Sequence, residues 1–353
     1  MAKRLAVILL SGVLMLVITG CTSASNPQGD GSVNEEQLPL AQAPLAQNPV
    51  EHSSDDSEGL TSQKAVRFIV MADSRGSDNG VNTKIVKKIL QEIKQLSPQP
   101  EFAIMPGDLT DGSKNYSGII GQLSYFKKVV TEFYPEKFFY PGIGNHEMTA
   151  GKNGEKAFSS TFNGFNASFL EGYNRTSYYF DVGDTRLFML NSDHPGEMHR
   201  IIGKQLEWVK SDIDPSKKHN IFLLHEPPYP AGAEEGNSLD KYPSLRDAFW
   251  KLVDHSNHPI VFCGHEHNYS RRLVDKSFHE KVGGVDYKFD KQVFQVITGG
   301  FGAPLYTQYS NKKSMVVPPI PEYHFTIVDI DDSAVKIQAV NIDGKIIDSF
   351  QIE

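Results

Sequence analysis

Residues 259–270 read "PIVFCGHEHNYS": an apolar run, one glycine, then His265 and His267 two positions apart. A short apolar run bounded by Gly reads as a buried strand, which puts both imidazoles at its C-terminal mouth. The same order recurs along the chain. "VRFIVMA" (66–72) runs into Asp73-Ser74-Arg75, and "EFAIMPG" (101–107) into Asp108-Leu109-Thr110-Asp111. "KFFYPGIG" (137–144) runs into Asn145-His146-Glu147, and "NIFLLH" (220–225) ends in His225, followed by Glu226. In open α/β sheets ligands bind beyond the carboxyl ends of the strands. Clusters placed in this way would meet at one edge, and carboxylate, amide oxygen and imidazole together suit Zn, Mn or Fe. A single Asp after a strand usually makes a turn, and a single His is usually just hydrogen-bonded. The ordered set is what points to a metal pocket.

Between these clusters lie amphipathic stretches, so the class is α/β. Helices are expected at 82–96, 123–133, 203–213 and 244–256, and further strands at 186–192 and 292–298. The end of the chain, "HFTIVDID", "AVKIQAVNI" and "IIDSFQI", alternates like an antiparallel meander, with Asp343-Gly344 as its last turn. The aromatic-rich stretch 158–180 reads equally well as a wall over the pocket or as core. His194 and His199 could reach the pocket rim, although a solvated role is the simpler reading. The 353 residues, 39% hydrophobic and 22% charged, can bury a sizeable core. A net charge of -8 argues against nucleic-acid binding, which needs clustered Lys and Arg.

The N-terminus "MAKRLAVILLSGVLMLVITGC" has a basic start, an apolar stretch too short for a comfortable membrane span, and small residues before Cys21. "ITGC" resembles the lipobox of bacterial lipoproteins. Residues 1–21 are therefore expected to be a lipoprotein signal peptide, with Cys21 lipidated and the protein held at an extracytoplasmic membrane face. Residues 22–64 carry Asp30, Glu35, Glu36, Glu51, Asp55, Asp56 and Glu58 against Lys64 and few apolar side chains, the composition of a disordered tether. With Cys21 committed to lipid, Cys263 has no partner for a disulfide.

The ordered clusters "DSR", "GDLTD", "GNHE", "HE" and "GHEH" resemble the calcineurin-like metallophosphoesterase superfamily, and within it the purple acid phosphatase-like branch of bacterial lipoproteins. "KQLEWVKSDI" (204–213) and "ITGGFGAPLY" (297–306) support that branch. The resemblance implies one catalytic domain over 65–353, a four-layer α/β/β/α sandwich of two mixed β-sheets flanked by helices. It also implies two metal ions (Fe, Mn or Zn) that activate a water for attack on a phosphate ester. By position, Asp108 would bridge the ions, Asp73 and His267 would complete one of them, and Asn145, His225 and His265 would hold the other. His146 would contact the substrate phosphate and assist the leaving group, with Glu147 orienting it.

One position departs from the family pattern. Arg75 stands where most members have a ligating His, and a guanidinium cannot ligate. Asp111, three residues after Asp108, either lends an oxygen to the first metal or is an ordinary loop acid. Otherwise water fills the gap, and Arg75 clamps a substrate phosphate or pairs with a carboxylate. The first metal is therefore expected to be the more labile. The resulting reading is a lipid-anchored phosphomonoesterase acting on a phosphorylated small molecule, with no protein partner inferable. A phosphodiesterase is the alternative within the same chemistry, and a non-catalytic surface phosphate- or nucleotide-binding protein the alternative from another class.

Overall fold

The computed structural model describes residues 65–353 except 279, 283, 284 and 332. The signal segment 1–21, the lipobox Cys21 and the tether 22–64 lie outside the described residues. Among the described residues no helix is long and apolar enough to cross a membrane.

The alternating runs pair into two mixed sheets, with strands numbered in chain order. The first holds β1 (Val66–Val70), β4 (Phe102–Met105), β5 (Phe139–Pro141), β16 (His324–Ile330), β17 (Val335–Asn341) and β18 (Ile346–Ile352), side by side as β18-β17-β16-β1-β4-β5. The second holds β6 (Ser168–Phe169), β7 (Tyr178–Val182), β8 (Thr185–Leu190), β9 (His219–Leu224), β10 (Pro259–Cys263), β11 (Tyr269–Val274), β14 (Val293–Thr298) and β15 (Met315–Ile320), in the order β15-β11-β14-β10-β9-β8-β7-β6. Two small hairpins stand apart, β2 (Arg75–Gly76) with β3 (Gly80–Val81) and β12 (Glu280–Val282) with β13 (Val285–Tyr287). Each main sheet has a parallel block, β1-β4-β5 along one edge of the first and β8-β9-β10-β14 in the middle of the second. Every polar cluster quoted above follows one of these parallel strands.

Period-two alternation explains the layering. On β9, Ile221 and Leu223 pack into the core shared with the first sheet, while Phe222 and Leu224 pack on the opposite face. That outer face is covered by α5 (Pro243–His255), through Phe249, Trp250 and Val253, and by Val209 of α4 (Gly203–Asp212). The first sheet is covered by α1 (Thr83–Ile93) and α2 (Tyr116–Thr131), whose Val86, Ile89, Leu90, Ile119, Leu123 and Phe126 are fully buried. The expected four layers are therefore present. Aromatic stacking joins the two sheets, with Tyr140 of β5 and Phe180 of β7 at 3.9 Å between ring centroids.

Several local expectations need correction. α2 begins at Tyr116 rather than near 123, because Asn115 caps it by accepting from the Gly118 N–H at 2.9 Å, ahead of a glycine-diluted first turn. The aromatic stretch begins in the last turn of a helix, α3 (Lys152–Thr161), and of its two readings the core one holds, since Phe158, Phe162, Phe165 and Tyr178 are core residues. β11 is hidden by its adjacent Arg271 and Arg272, and β15 by Pro318 and Pro319, which an edge strand tolerates.

Arg271 also clamps the two sheets. Its Nε and Nη2 donate to Asp348 of β18 at 2.7 and 3.1 Å, and the Tyr269 hydroxyl donates to the same carboxylate at 2.7 Å. Burial, and then the nearby Asp348 charge, hold the Tyr269 phenol well above its ordinary pKa. Replacing Asp348 by Ala leaves a buried guanidinium and hydroxyl without their acceptor. The expected loss is about 3–5 kcal/mol, read from denaturant melts, and a loss below about 0.5 kcal/mol would show that the clamp contributes nothing.

Candidate functional site

The backbone at the ends of the parallel strands turns sharply to aim its side chains inward. Asp73, Asp108, His265 and His267 all have positive φ, at 67°, 50°, 71° and 23°. Such non-glycine conformations cost about 1–3 kcal/mol each and persist only where the surroundings impose them. Glycines make room for the turns. A Cβ on Gly144 would lie 2.3 Å from Asp108 Oδ1, and one on Gly264 would lie 2.5 Å from Asp73 Oδ2.

The loops bring the expected residues together in two groups. His225 Nδ1 lies 3.1 Å from the Pro106 carbonyl oxygen, a partner that only a ring N–H satisfies, so its proton belongs there. In the neutral ring that leaves Nε2 as a lone pair, and it faces Asn145 Oδ1 at 3.0 Å, Asp108 Oδ1 at 3.2 Å and His265 Nδ1 at 3.2 Å. The far nitrogen of His265, Nε2, lies 3.3 Å from the Asn237 carbonyl oxygen, which likewise turns the His265 Nδ1 lone pair inward. One added proton cannot satisfy four converging donor atoms, whereas a cation among them can. The donor set thus fits a transition metal, held through Asn145 Oδ1, Asp108, His225 Nε2 and His265 Nδ1.

The second group is Asp73 with His267. His267 Nδ1 lies 2.7 Å from the Pro304 carbonyl oxygen, and its Nε2 faces Asp73 Oδ1 at 3.4 Å. The buried Asp73 also accepts from the His265 N–H at 3.0 and 3.1 Å. One ligand atom from each of Asp73, Asp108 and His225 lies within 4.8 Å of the others, so the two groups form a single cleft with Asp108 between them. The two histidines of the opening stretch therefore point from one turn into different groups.

Around this cleft sit the remaining expected residues. His146 Nδ1 lies 2.8 Å from the Asp111 carbonyl oxygen, and its Nε2 is 3.9 Å from Asp108 Oδ2. Glu147 does not orient that ring as expected. Its carboxylate accepts from the Thr110 and Gly144 N–H groups at 2.9 and 3.0 Å and braces the turns that carry Asp108 and Asn145. Arg75 Nε donates toward His267 Nε2 at 3.4 Å, Nη2 donates to the Tyr306 hydroxyl at 3.0 Å, and Nη1 lies 3.6 Å from Asp111 Oδ1. The Asp111 side chain is largely exposed and faces Arg75. His194 and His199 are not solvated residues: their Nδ1 atoms pair with Glu155 and Glu226 at 2.6 and 2.7 Å.

The electrostatics follow from these contacts. Burial works against the Asp108 anion, but the His225 charge and bond, and then the charges of His146 and His265, hold its carboxyl well below the usual range. Burial opposes the His225 cation, yet Asp108 lifts that ring to about 10, so without a cation in the cleft a proton occupies Nε2, in the place a metal would take. Burial, and then the Asp108 charge, push Glu147 up to about 8 against its backbone bonds. Sequence reading missed Tyr306, which stacks on His267 at 4.2 Å, and Glu234, whose Oε2 lies 3.6 Å from His265 Nε2. Tyr306 ends the "ITGGFGAPLY" stretch, which was read only as support for the family branch, and Glu234 stands in no motif, so only the chain fold brings them in.

Residues 66–269 match the calcineurin-like phosphoesterase family. The serine/threonine-protein phosphatase CPPED1 of Pongo abelii is 22% identical over 236 residues, 64% of this chain and 68% of that protein. The probable glycerophosphodiester phosphodiesterase GpdQ of Arcobacter nitrofigilis is 24% identical over 197 residues, 55% of this chain and 66% of that protein. Among solved structures, the purple acid phosphatase PPD1 from yellow lupin (Lupinus luteus) seeds superposes with a TM-score of 0.63 at 18% identity, covering 82% of this chain and 54% of its own. The matched region runs from β1 to the start of β11, more than half of the chain, and contains Asp73, Asp108, Asn145, His225, His265 and His267, so the chain belongs to the calcineurin-like phosphoesterase family of metal-dependent phosphoric ester hydrolases.

Proposed function

We propose that this protein is a lipid-anchored, extracytoplasmic phosphomonoesterase working with two transition-metal ions (Fe, Mn or Zn). The observation that carries the hydrolytic reading is the His225 Nε2 lone pair, which faces three further donor atoms while its other nitrogen is committed to Pro106. Asp73 and His267 would hold one ion, Asn145, His225 and His265 the other, and Asp108 both. Bound there, the ions supply a nucleophilic water at neutral pH and neutralise charge on the phosphoryl oxygens.

The chain's own groups do the rest. His146 Nδ1 is tied to the Asp111 carbonyl oxygen, which turns Nε2 toward Asp108 and the cleft. From that position it protonates the departing alkoxide. Arg75, held between Tyr306 and Asp111 beside His267, offers N–H donors to a non-bridging phosphate oxygen. A diesterase would use the same cleft. The monoester reading rests on Arg75 and His146, two side chains whose N–H donors suit the additional free oxygen of a monoester phosphate, and both a phosphatase and a probable phosphodiesterase stand among the relatives. The extracytoplasmic lipid anchor rests on "ITGC" at 18–21 alone.

With Mn-, Zn- or Fe-loaded protein, hydrolysis of p-nitrophenyl phosphate is expected to exceed that of its bis ester. Replacing His146 by Ala lowers kcat by about 10²–10⁴-fold and Asp108→Asn abolishes turnover. Metal-loaded protein that hydrolyses neither ester would favour the phosphate- or nucleotide-binding reading. Arg75 Nε competes with a cation for the His267 lone pair, so a weak chelator is expected to strip one metal equivalent well before the rest. Asp73→Asn protein should lack that early-lost equivalent from the start, and simultaneous loss of all metal would contradict the weak-site assignment. Finally, Cys21→Ser should abolish lipid labelling and release the protein from the membrane fraction, whereas unchanged fractionation would refute the anchor.

A further inference from the structure

Beside the cleft just described, and near enough for its charges to act on them, three more potential ligands meet. Asp193 follows β8, Glu226 follows β9 by two residues, and His199 reaches in from the intervening loop. One ligand atom from each lies within 4.8 Å of the other two. Asp193 and Glu226 are fully buried, and the His199 side chain is 12% exposed. Two carboxylates are thus enclosed together with one imidazole.

Their hydrogen bonds are only half complete. Asp193 Oδ2 accepts from the Ser192 hydroxyl at 2.8 Å, and Glu226 Oε1 faces His199 Nδ1 at 2.7 Å. Asp193 Oδ1 and Glu226 Oε2 are buried with no donor from any other group, and the two carboxyl groups lie within hydrogen-bonding reach of one another. An unsatisfied buried carboxylate oxygen is costly, and two in one spot demand a shared positive species. The surroundings are built to keep them there. Gln205, itself buried, accepts from the Asn191 N–H at 2.9 Å and donates to the Asn191 carbonyl at 3.0 Å. The Asn191 side chain in turn accepts from the Asp193 N–H at 2.8 Å. His199 reaches its place only through a left-handed backbone, with φ at 61°.

We propose that Asp193, His199 and Glu226 form a third cation site, separate from the Asp108-centred cleft, for a divalent transition ion such as Mn²⁺. Two carboxylates and one imidazole form a mixed oxygen–nitrogen set that suits Mn²⁺, Fe²⁺ or Zn²⁺. The ion ties the 192–201 loop to the end of β9 and so fixes the chain from which His225 enters the cleft. It is a positioning site, and the assignment stands apart from the catalytic reading above.

Mn²⁺ stoichiometry of the full chain, measured by equilibrium dialysis and electron paramagnetic resonance, tests it. His199→Gln, a change on the loop that keeps both carboxylates, is expected to bind one equivalent fewer than the unaltered chain. The same loss is expected when His199→Gln is placed in Asp108→Asn protein, where the cleft is already disabled. Circular dichroism on each variant verifies the fold, and the milder His199→Asn substitutes should His199→Gln fail to fold. An unchanged Mn²⁺ count in either background overturns the site and leaves a proton shared by Asp193 and Glu226 as the species between them. A His199-dependent equivalent in protein whose cleft binds no metal would sink the two-metal proposal and leave this one standing.

Discussion

One backbone link holds the site's two halves together. The Ala72 N–H, at the end of β1 in the first sheet, donates to the carbonyl of Thr298, at the end of β14 in the second, at 3.1 Å. The Ala72 carbonyl accepts from the Phe301 N–H at 2.9 Å, and the Asp73 carbonyl accepts from the Ala303 N–H at 2.8 Å. These bonds join the sheets where their parallel strands end, and they bring Asp73 and Asp108 from one sheet against His225, His265 and His267 from the other. The approach tolerates no side chain at Gly299, where a Cβ would lie 2.8 Å from both Asp73 Oδ2 and the His267 nitrogen. The "ITGGFG" stretch is therefore a seam between the sheets.

The seam makes the rest affordable in energetic terms. Left-handed turns at Asp73, Asp108 and His265 are each unfavourable locally. So is gathering lone pairs in a dry cleft. A core continuous between the sheets and helices on both outer faces overwhelm these costs. Glu147 and Glu266 show the same division of labour. Each stands in a ligand motif yet turns away to brace backbone. Glu266 accepts from the Gly232 and Glu234 N–H groups at 2.7 and 3.2 Å, and so holds the loop whose Asn237 carbonyl orients His265. The "HEH" pattern thus alternates inward imidazole, outward brace, inward imidazole.

This alternation also marks how far the sequence could be read. Strand ends followed by Gly and a metal-binding side chain are local signals, and they sufficed for the parallel strands, the cleft residues and the terminal meander. β11 was not legible, because its Arg271 and Arg272 are satisfied by Asp348 and by backbone carbonyls remote in the chain. The ring partners of the ligand histidines were illegible for the same reason. Pro106, Pro304 and Asn237 contribute only carbonyl oxygens, and a carbonyl has no residue signature. Glu147 was misread because a carboxylate beside a His suggests pairing, whereas the tight turn sends it to Thr110 and Gly144.

Arg75 is where local and distant information combine. Alone, it is a missing ligand. In place, its guanidinium spans Tyr306, Asp111 and the His267 ring, fixed by a loop more than 200 residues away in sequence. An arginine so restrained has lost most of its conformational freedom before any anion arrives, which lowers the entropic cost of binding one. The substitution therefore exchanges metal affinity on the Asp73 side for a fixed positive charge at the same place. Under the proposed function, a cleft built this way would recognise a phosphate through protein N–H groups as well as through metal, and its selectivity among esters would depend on how the anion's free oxygens meet Arg75 and His146.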